Sequence, residues 1–115
     1  MLDPSEWSRY FDDLNRRIEH GEQFEASVEV TGEDVDGTEV ELLPLDGITF
    51  ERHDDQIAIG VGGRGRRYPA VLWHFVDGPR RVWVREQDGA PASLGIESED
   101  GTYTFVRLRA AASAT

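Results

Sequence analysis

Apolar residues recur at Trp7, Tyr10, Phe11, Leu14 and Ile18. That is the three- and four-residue spacing of one helical face. Asp3 stands where an N-cap belongs, Pro4 at the first helical position, and Glu6 three residues after the cap, which is capping-box spacing. Leu2 and Trp7 are placed as a hydrophobic staple. Gly21 follows as the C′ stop, with His20 in the last turn. The pattern predicts a helix over 3–20 that buries its apolar stripe.

After Gly21 the period changes from 3.6 to 2. Phe24, Ala26, Val28 and Val30 alternate with Glu25, Ser27, Glu29 and Thr31, the pattern of a half-buried strand. Val40 and Leu42 mark a second strand, ended by Pro44 and the Asp46-Gly47 pair. Ile48 and Phe50 mark a third, and Ile57, Ile59 and Val61 a fourth. Val71–Val76 is an almost unbroken apolar run, which predicts a strand covered on both faces. Val82 and Val84 alternate with Arg81, Trp83 and Arg85. Gln87–Pro91 is a turn, Leu94 and Ile96 follow, and Asp100-Gly101 predicts a type I′ hairpin into 102–109. The expectation is a mainly β protein, with an N-terminal helix followed by seven or eight short antiparallel strands in a small barrel or sandwich.

The 115 residues make one domain, with the helix at 3–20, the β region at 23–109 and a frayed tail at 110–115. There is no cysteine, which removes disulfides, thiolate zinc sites and cysteine nucleophiles. No apolar run approaches the ~20 residues of a membrane helix, and no secretory h-region follows the N-terminus. A soluble, cytoplasmic protein with no membrane partner is expected.

Charge changes the picture more than composition does. The net charge is −11, and all 12 basic residues are arginine. Such acidity argues against a nucleic-acid binder, which needs a cationic footprint. The charge is unevenly spread, however. Residues 1–55 hold 17 acids against 4 arginines, and residues 56–115 hold 6 acids against 8 arginines. An acidic first half and an arginine-rich second half suggest an electrostatic interaction surface.

Candidate chemistry is sparse. The loop Gly60–Arg67, with Arg64, Arg66 and Arg67, has the backbone amides and cations to cradle an anion. It lacks the Lys-Ser/Thr ending of a P-loop, and a strand is expected after it. His74 sits between Trp73 and Phe75, where a neutral imidazole would serve as a base or as a hydrogen-bonded core residue. No serine has a nucleophile context. The calcium-loop echo at 32–43 fails, because Gly32 and Leu43 stand where acids are needed. His53-Asp54-Asp55 reads as a polar turn. No metal or cofactor is expected. Arg81, Trp83 and Arg85 share one strand face, and Tyr103, Phe105, Arg107 and Arg109 share another. Such interleaving suits weak single-stranded nucleic-acid binding or, alternatively, aromatic packing under arginine stems.

Several segments resemble a family of short bacterial proteins classed as a domain of unknown function. They are Glu6-Trp7-Ser8-Arg9-Tyr10-Phe11-Asp12, Leu43-Pro44-Leu45-Asp46-Gly47-Ile48, His74 followed by Pro79, Arg81 and Val82, and Ile96-Glu97-Ser98 with Asp100-Gly101-Thr102. The similarity runs from about Ser5 to Arg109, and the Gly60–Arg67 loop departs from it. It implies a single-domain protein and carries no activity. The residues favour a non-enzymatic interaction module that takes a protein partner or a second copy of itself. The alternatives are an anion or small-ligand pocket near His74 and the Gly60–Arg67 loop, and nucleic-acid binding on the Arg81/Trp83/Arg85 face.

Overall fold

The computed structural model describes residues 1–32, 36–63 and 72–110, with the backbone alone for 36–41. Arg64, Arg66, Arg67 and the tail beyond Ala110 lie outside the described residues.

The helix forms where its pattern predicts, in two parts. A 3-10 turn at Pro4–Glu6 leads into α1, Trp7–Glu19. Asp3 caps it, but not as a capping box: its carboxylate accepts from the Ser5 N–H at 2.9 Å and the Ser5 hydroxyl at 2.7 Å. Pro4 removes one unpaired N–H from that first turn. At the other end Gly21 has φ +103°. The Glu22 N–H reaches the Arg17 carbonyl and the Gly21 N–H reaches that of Ile18. These are the two bonds of a Schellman stop, which needs a left-handed residue at C′. Trp7, Phe11 and Leu14 are buried, with Tyr10 and Ile18 packed beside them.

Among the described residues seven antiparallel strands follow: β1 Phe24–Thr31, β2 Asp36–Glu51, β3 Gln56–Val61, β4 Leu72–Asp77, β5 Pro79–Gln87, β6 Ala90–Ser98 and β7 Tyr103–Ala110. They form one sheet in the order β4-β3-β2-β1-β7-β6-β5. The sheet does not close, so among the expected architectures the barrel is excluded. Its edges are β4 and β5. The core lies under its curled inner face, where Ala26, Val28, Ile48, Ile57, Ile59, Val82, Leu94, Ile96 and Val106 meet α1.

Three local expectations are corrected. First, the predicted second and third strands are one strand, β2. Its first part pairs with β1 and its last part with β3, and irregular register on both sides lets it bend instead of ending. Leu42, at φ +51°, sits at the β1-side irregularity, where the Ser27 hydroxyl accepts its N–H. Past β1 the edge of β2 is closed by a side chain. The Asn15 amide donates to the Ile48 carbonyl at 2.9 Å and accepts the Ile48 N–H at 3.0 Å, as a neighbouring strand would. Gly47 makes that approach possible, since a Cβ there would stand 2.9 Å from Asn15 Oδ1.

Second, the Asp100-Gly101 hairpin is not type I′. Asp100 is not in the left-handed region, and the Ser98 N–H bonds the Thr102 carbonyl across a three-residue loop closed by Gly101 at φ +89°. That is a tight turn followed by a glycine bulge. The two-residue type I′ geometry belongs to Asp88-Gly89, at φ +54° and +78°, between Gln87 and Ala90.

Third, the strand covered on both faces is β3, not the apolar run at 71–76. Ile57, Ile59 and Val61 face the core, and Ala58 is buried on the other side. β4 is an edge, and Leu72, Trp73 and Phe75 are 43%, 49% and 52% exposed. The reason is size. Ala58 and Gly60 leave room on the outer side of β3 for the bulky residues of β4 to lie across them. A Cβ at Gly60 would stand 2.8 Å from the Trp73 ring.

Candidate functional site

Two surfaces stand out, on opposite ends of the strand order. The first is β4. It pairs with β3 through six successive residue pairs without a register shift. Leu72, His74 and Val76 lie opposite Val61, Ile59 and Ile57, on the core side of the sheet. Trp73 and Phe75 lie opposite Gly60 and Ala58, on the outer side. Between Leu72 and Val76 the strand carries no Asp, Glu or Arg; Asp77 at its end accepts a 2.6 Å hydrogen bond from the Gln56 amide. His74 is half-buried, and the two surface depressions described below do not include it.

The second surface is the outer face of β5, β6, β7 and β1. The register brings together residues far apart in the chain. Trp83, Gly95, Phe105 and Glu29 form one row across the strands, and Arg85, Ser93, Arg107 and Ser27 form the next. Trp83 and Tyr103 pack at 6.1 Å between ring centres, and Tyr103 lies over Gly95, where no Cβ would fit. Arg107 sits 5.7 Å above the Phe105 ring. Arg81 pairs with Glu97 at 3.6 Å. The Trp83 and Tyr103 rings are thus engaged with each other and with the sheet.

Beside the aromatic row is an open depression of about 380 Å³. Arg85, Arg107 and Arg109 line it with Ser27, Ser93 and Gln87, and among the described residues no carboxylate does. Arg109 is held by Glu25 at 3.2 Å. Arg85 and Arg107 make no ion pair among the described residues, whereas Arg16, Arg17, Arg80 and Arg81 each have a carboxylate. Of the residues singled out from sequence, Arg81, Trp83 and Arg85 therefore share one face. His74 is elsewhere, and Arg64, Arg66 and Arg67 lie outside the described residues. Arg107 and Arg109 complete the groove. Their alternation in Tyr103-x-Phe105-x-Arg107-x-Arg109 marked them as one face, but only the register places that face beside Arg85.

A smaller depression of about 230 Å³ lies at the start of α1, lined by Leu2, Glu6, Arg9, Tyr10 and Asp13. The Tyr10 hydroxyl is buried there without a hydrogen-bond partner among the described residues. Burial, and then the nearby Glu86 carboxylate, push its pKa up to about 12. Among the described residues no group of three or more His, Asp or Glu is placed to hold a metal ion, and no helix is long and apolar enough to cross a membrane.

The model of DUF5335, a family of unknown function, matches residues 1–115. The chain belongs to that family. A relative, an uncharacterized protein from Aquifex aeolicus (strain VF5), is 26% identical over 107 residues, covering 92% of this chain and 87% of its own. No solved structure matches significantly. The family and this relative carry no assigned activity, and nothing in them indicates an enzyme.

Proposed function

We propose that the protein is a non-enzymatic interaction module that associates by strand addition at β4, and that its partner is a second copy of the chain. The observation that carries this reading is the exposure of Leu72, Trp73 and Phe75 on an edge strand whose register with β3 is unbroken. An edge strand offers unpaired N–H and C=O groups, and its exposed side chains choose what may pair there. The stretch from Leu72 to Val76 carries no Asp, Glu or Arg, in a chain of net charge −11. A two-fold axis at His74 sets Trp73 of one copy beside Phe75 of the other, twice, with no Asp, Glu or Arg opposed. Asp77 then falls beyond the end of the neighbouring β4. Cross-strand aromatic pairs of this kind each contribute roughly 0.2–1 kcal/mol.

Sedimentation of the full chain across protein and salt concentration tests this. Two copies at −11 repel, so added salt should strengthen association. Phe75→Glu should abolish it, because it sets a charge beside Trp73 on both sides of the axis. A chain that stays monomeric at every salt and protein concentration, or a dimer indifferent to Phe75→Glu, overturns the reading.

A further inference from the structure

The groove on the outer face points to a second role, independent of β4. We infer that the depression between Arg85 and Arg107 binds a phosphate-bearing anion of diphosphate size.

The register sets the dimension. Arg85 lies opposite Ser93, and Ser93 lies opposite Arg107, so the two arginines stand two strand spacings apart, about 9–10 Å between backbones. Both are exposed and point to the same side of the sheet. Between them stands a serine, whose short side chain leaves the floor open. Both arginines line this one depression, and their long arms can reach a single ligand over that floor. Each guanidinium presents a planar fork of donors that matches two oxygens of one phosphate.

The remaining walls fit the same chemistry. The Ser27 hydroxyl accepts the Leu42 N–H at 3.1 Å, which leaves its own proton to donate into the groove. Gln87 adds an amide at the far side. Phe105, beside Arg107, offers a half-buried ring at the margin. Among the described residues the lining holds three arginines and no carboxylate. Arg109 already shares its charge with Glu25 and closes one end. Glu86, next in sequence to Arg85, acts on Tyr10 beside α1 instead. The volume, about 380 Å³, is within the range of small-ligand sites. Single guanidiniums bind carboxylates as well, but two forks spaced across Ser93 favour a ligand with anionic groups at both ends.

Calorimetric titration of the full chain with inorganic pyrophosphate at low salt is the direct test, with ATP as a second arm. Wild type should bind pyrophosphate at one saturable site. Arg85→Gln and Arg107→Gln should each weaken binding by about tenfold, the loss of one charge-assisted fork. Arg81→Gln, whose arginine is held by Glu97, should leave it within about twofold. All three positions are exposed, so thermal melting should be unchanged and the loss cannot be ascribed to unfolding. If ATP binds more tightly than pyrophosphate and loses that margin in Phe105→Leu, the ligand is a nucleotide. Equal affinities identify a free polyphosphate, and either result upholds the site. No saturable binding of either probe, or wild-type affinity retained in both Arg85→Gln and Arg107→Gln, overturns it. So does retention of a single-stranded oligonucleotide when pyrophosphate and ATP do not bind.

Discussion

The two edges of the sheet are built in opposite ways. β5 opens on Pro79 and carries Arg80, Arg81, Arg85 and Glu86. Its pairing with β6 is interrupted twice, between Pro79 and Arg81 and between Arg85 and Glu86. The Leu2 N–H also donates to the Val82 carbonyl at 2.8 Å, so the N-terminus lies along its open side. Proline, charge, irregular register and a covering segment are the devices by which sheets refuse new strands. Among the described residues β4 has none of them between Leu72 and Val76. A third edge, the last part of β2, is closed at Ile48 by the Asn15 side chain. The same chain thus covers or charges two edges and leaves one apolar and unbroken in register. That contrast underlies the proposed association at β4, while the proposed ligand site lies on the charged outer face beside β5.

The sharpest way to break the contrast is to open the edge that one side chain closes. Asn15→Ala removes both bonds to Ile48 and leaves a partly buried N–H and C=O unpaired. The expected cost is about 2–4 kcal/mol by denaturant unfolding. Asn15→Asp keeps the acceptor but loses the donor, and should fall between wild type and Asn15→Ala. A cost under about 0.5 kcal/mol for Asn15→Ala would mean that water serves the β2 edge as well as the amide does.

A smaller effect is expected at Gly60, which seats Trp73 against the outer side of β3. Gly60→Ala forces the indole away from the sheet and should cost about 1–3 kcal/mol. If β4 associates through Trp73 and Phe75, the displaced ring should also weaken self-association. Lost stability with unchanged association would assign Trp73 to packing alone.

How much of this was legible in the chain follows from where each feature gets its information. The helix was legible because the 3.6 period, Asp3 and Gly21 all act locally. The alternation in β1 and β7 was legible for the same reason. β2 was misread as two strands because Pro44 and Asp46-Gly47 imitate a turn. Their partners are distant in sequence: the Pro44 carbonyl accepts the Gly62 N–H, the Asp46 carboxylate accepts the Gly63 N–H, and Gly47 faces Asn15. The two Asp-Gly pairs look alike and form different turns, since loop length is set by strand register. The apolar run at β4 reads the same whether its aromatics are covered or bare. Ala58 and Gly60 were the better sign, because small residues at outward positions imply that something larger lies over them. The arginine groove was legible only in halves. Arg85 and Arg107 meet because β6 lies between their strands, and no local pattern encodes that order.

The covering of β5 by the N-terminal turn and α1 has a signature at high pH. Tyr10, beside Glu86, is held protonated up to about pH 12. Its pKa is raised above the ordinary value near 10, so its contribution to stability is whole below pH 10 and declines as pH rises from there toward 12. Tyr10→Phe should remove that alkaline decline. It should leave stability at pH 7 equal or slightly higher, because the lost hydroxyl is buried without a partner among the described residues. Melting temperatures from pH 7 to 11 decide this. A Tyr10→Phe variant clearly less stable at pH 7 would mean that the hydroxyl has a partner.

The smallest expected effect is at low pH and concerns the cap that positions Leu2. The Ser5 hydroxyl and N–H hold the Asp3 carboxyl below the usual carboxylate range. A depressed folded-state pKa contributes stability above the unfolded value near 3.9, and that contribution is lost as pH falls through the lower folded value. Asp100 is depressed in the same way by the N–H and hydroxyl of Thr102, at the β6–β7 turn away from the Leu2–Val82 bridge. The two therefore separate a local effect from a general one. Asp3→Asn and Asp100→Asn should each reduce the acid dependence of melting below about pH 4. Of the two, only Asp3→Asn should speed hydrogen exchange of the Leu2 amide at neutral pH, because that amide bonds Val82 only while the capped turn holds it there. Equal exchange in both variants would show that Leu2 covers β5 without help from the cap, and that the guarded edge depends on its charges and irregular register instead.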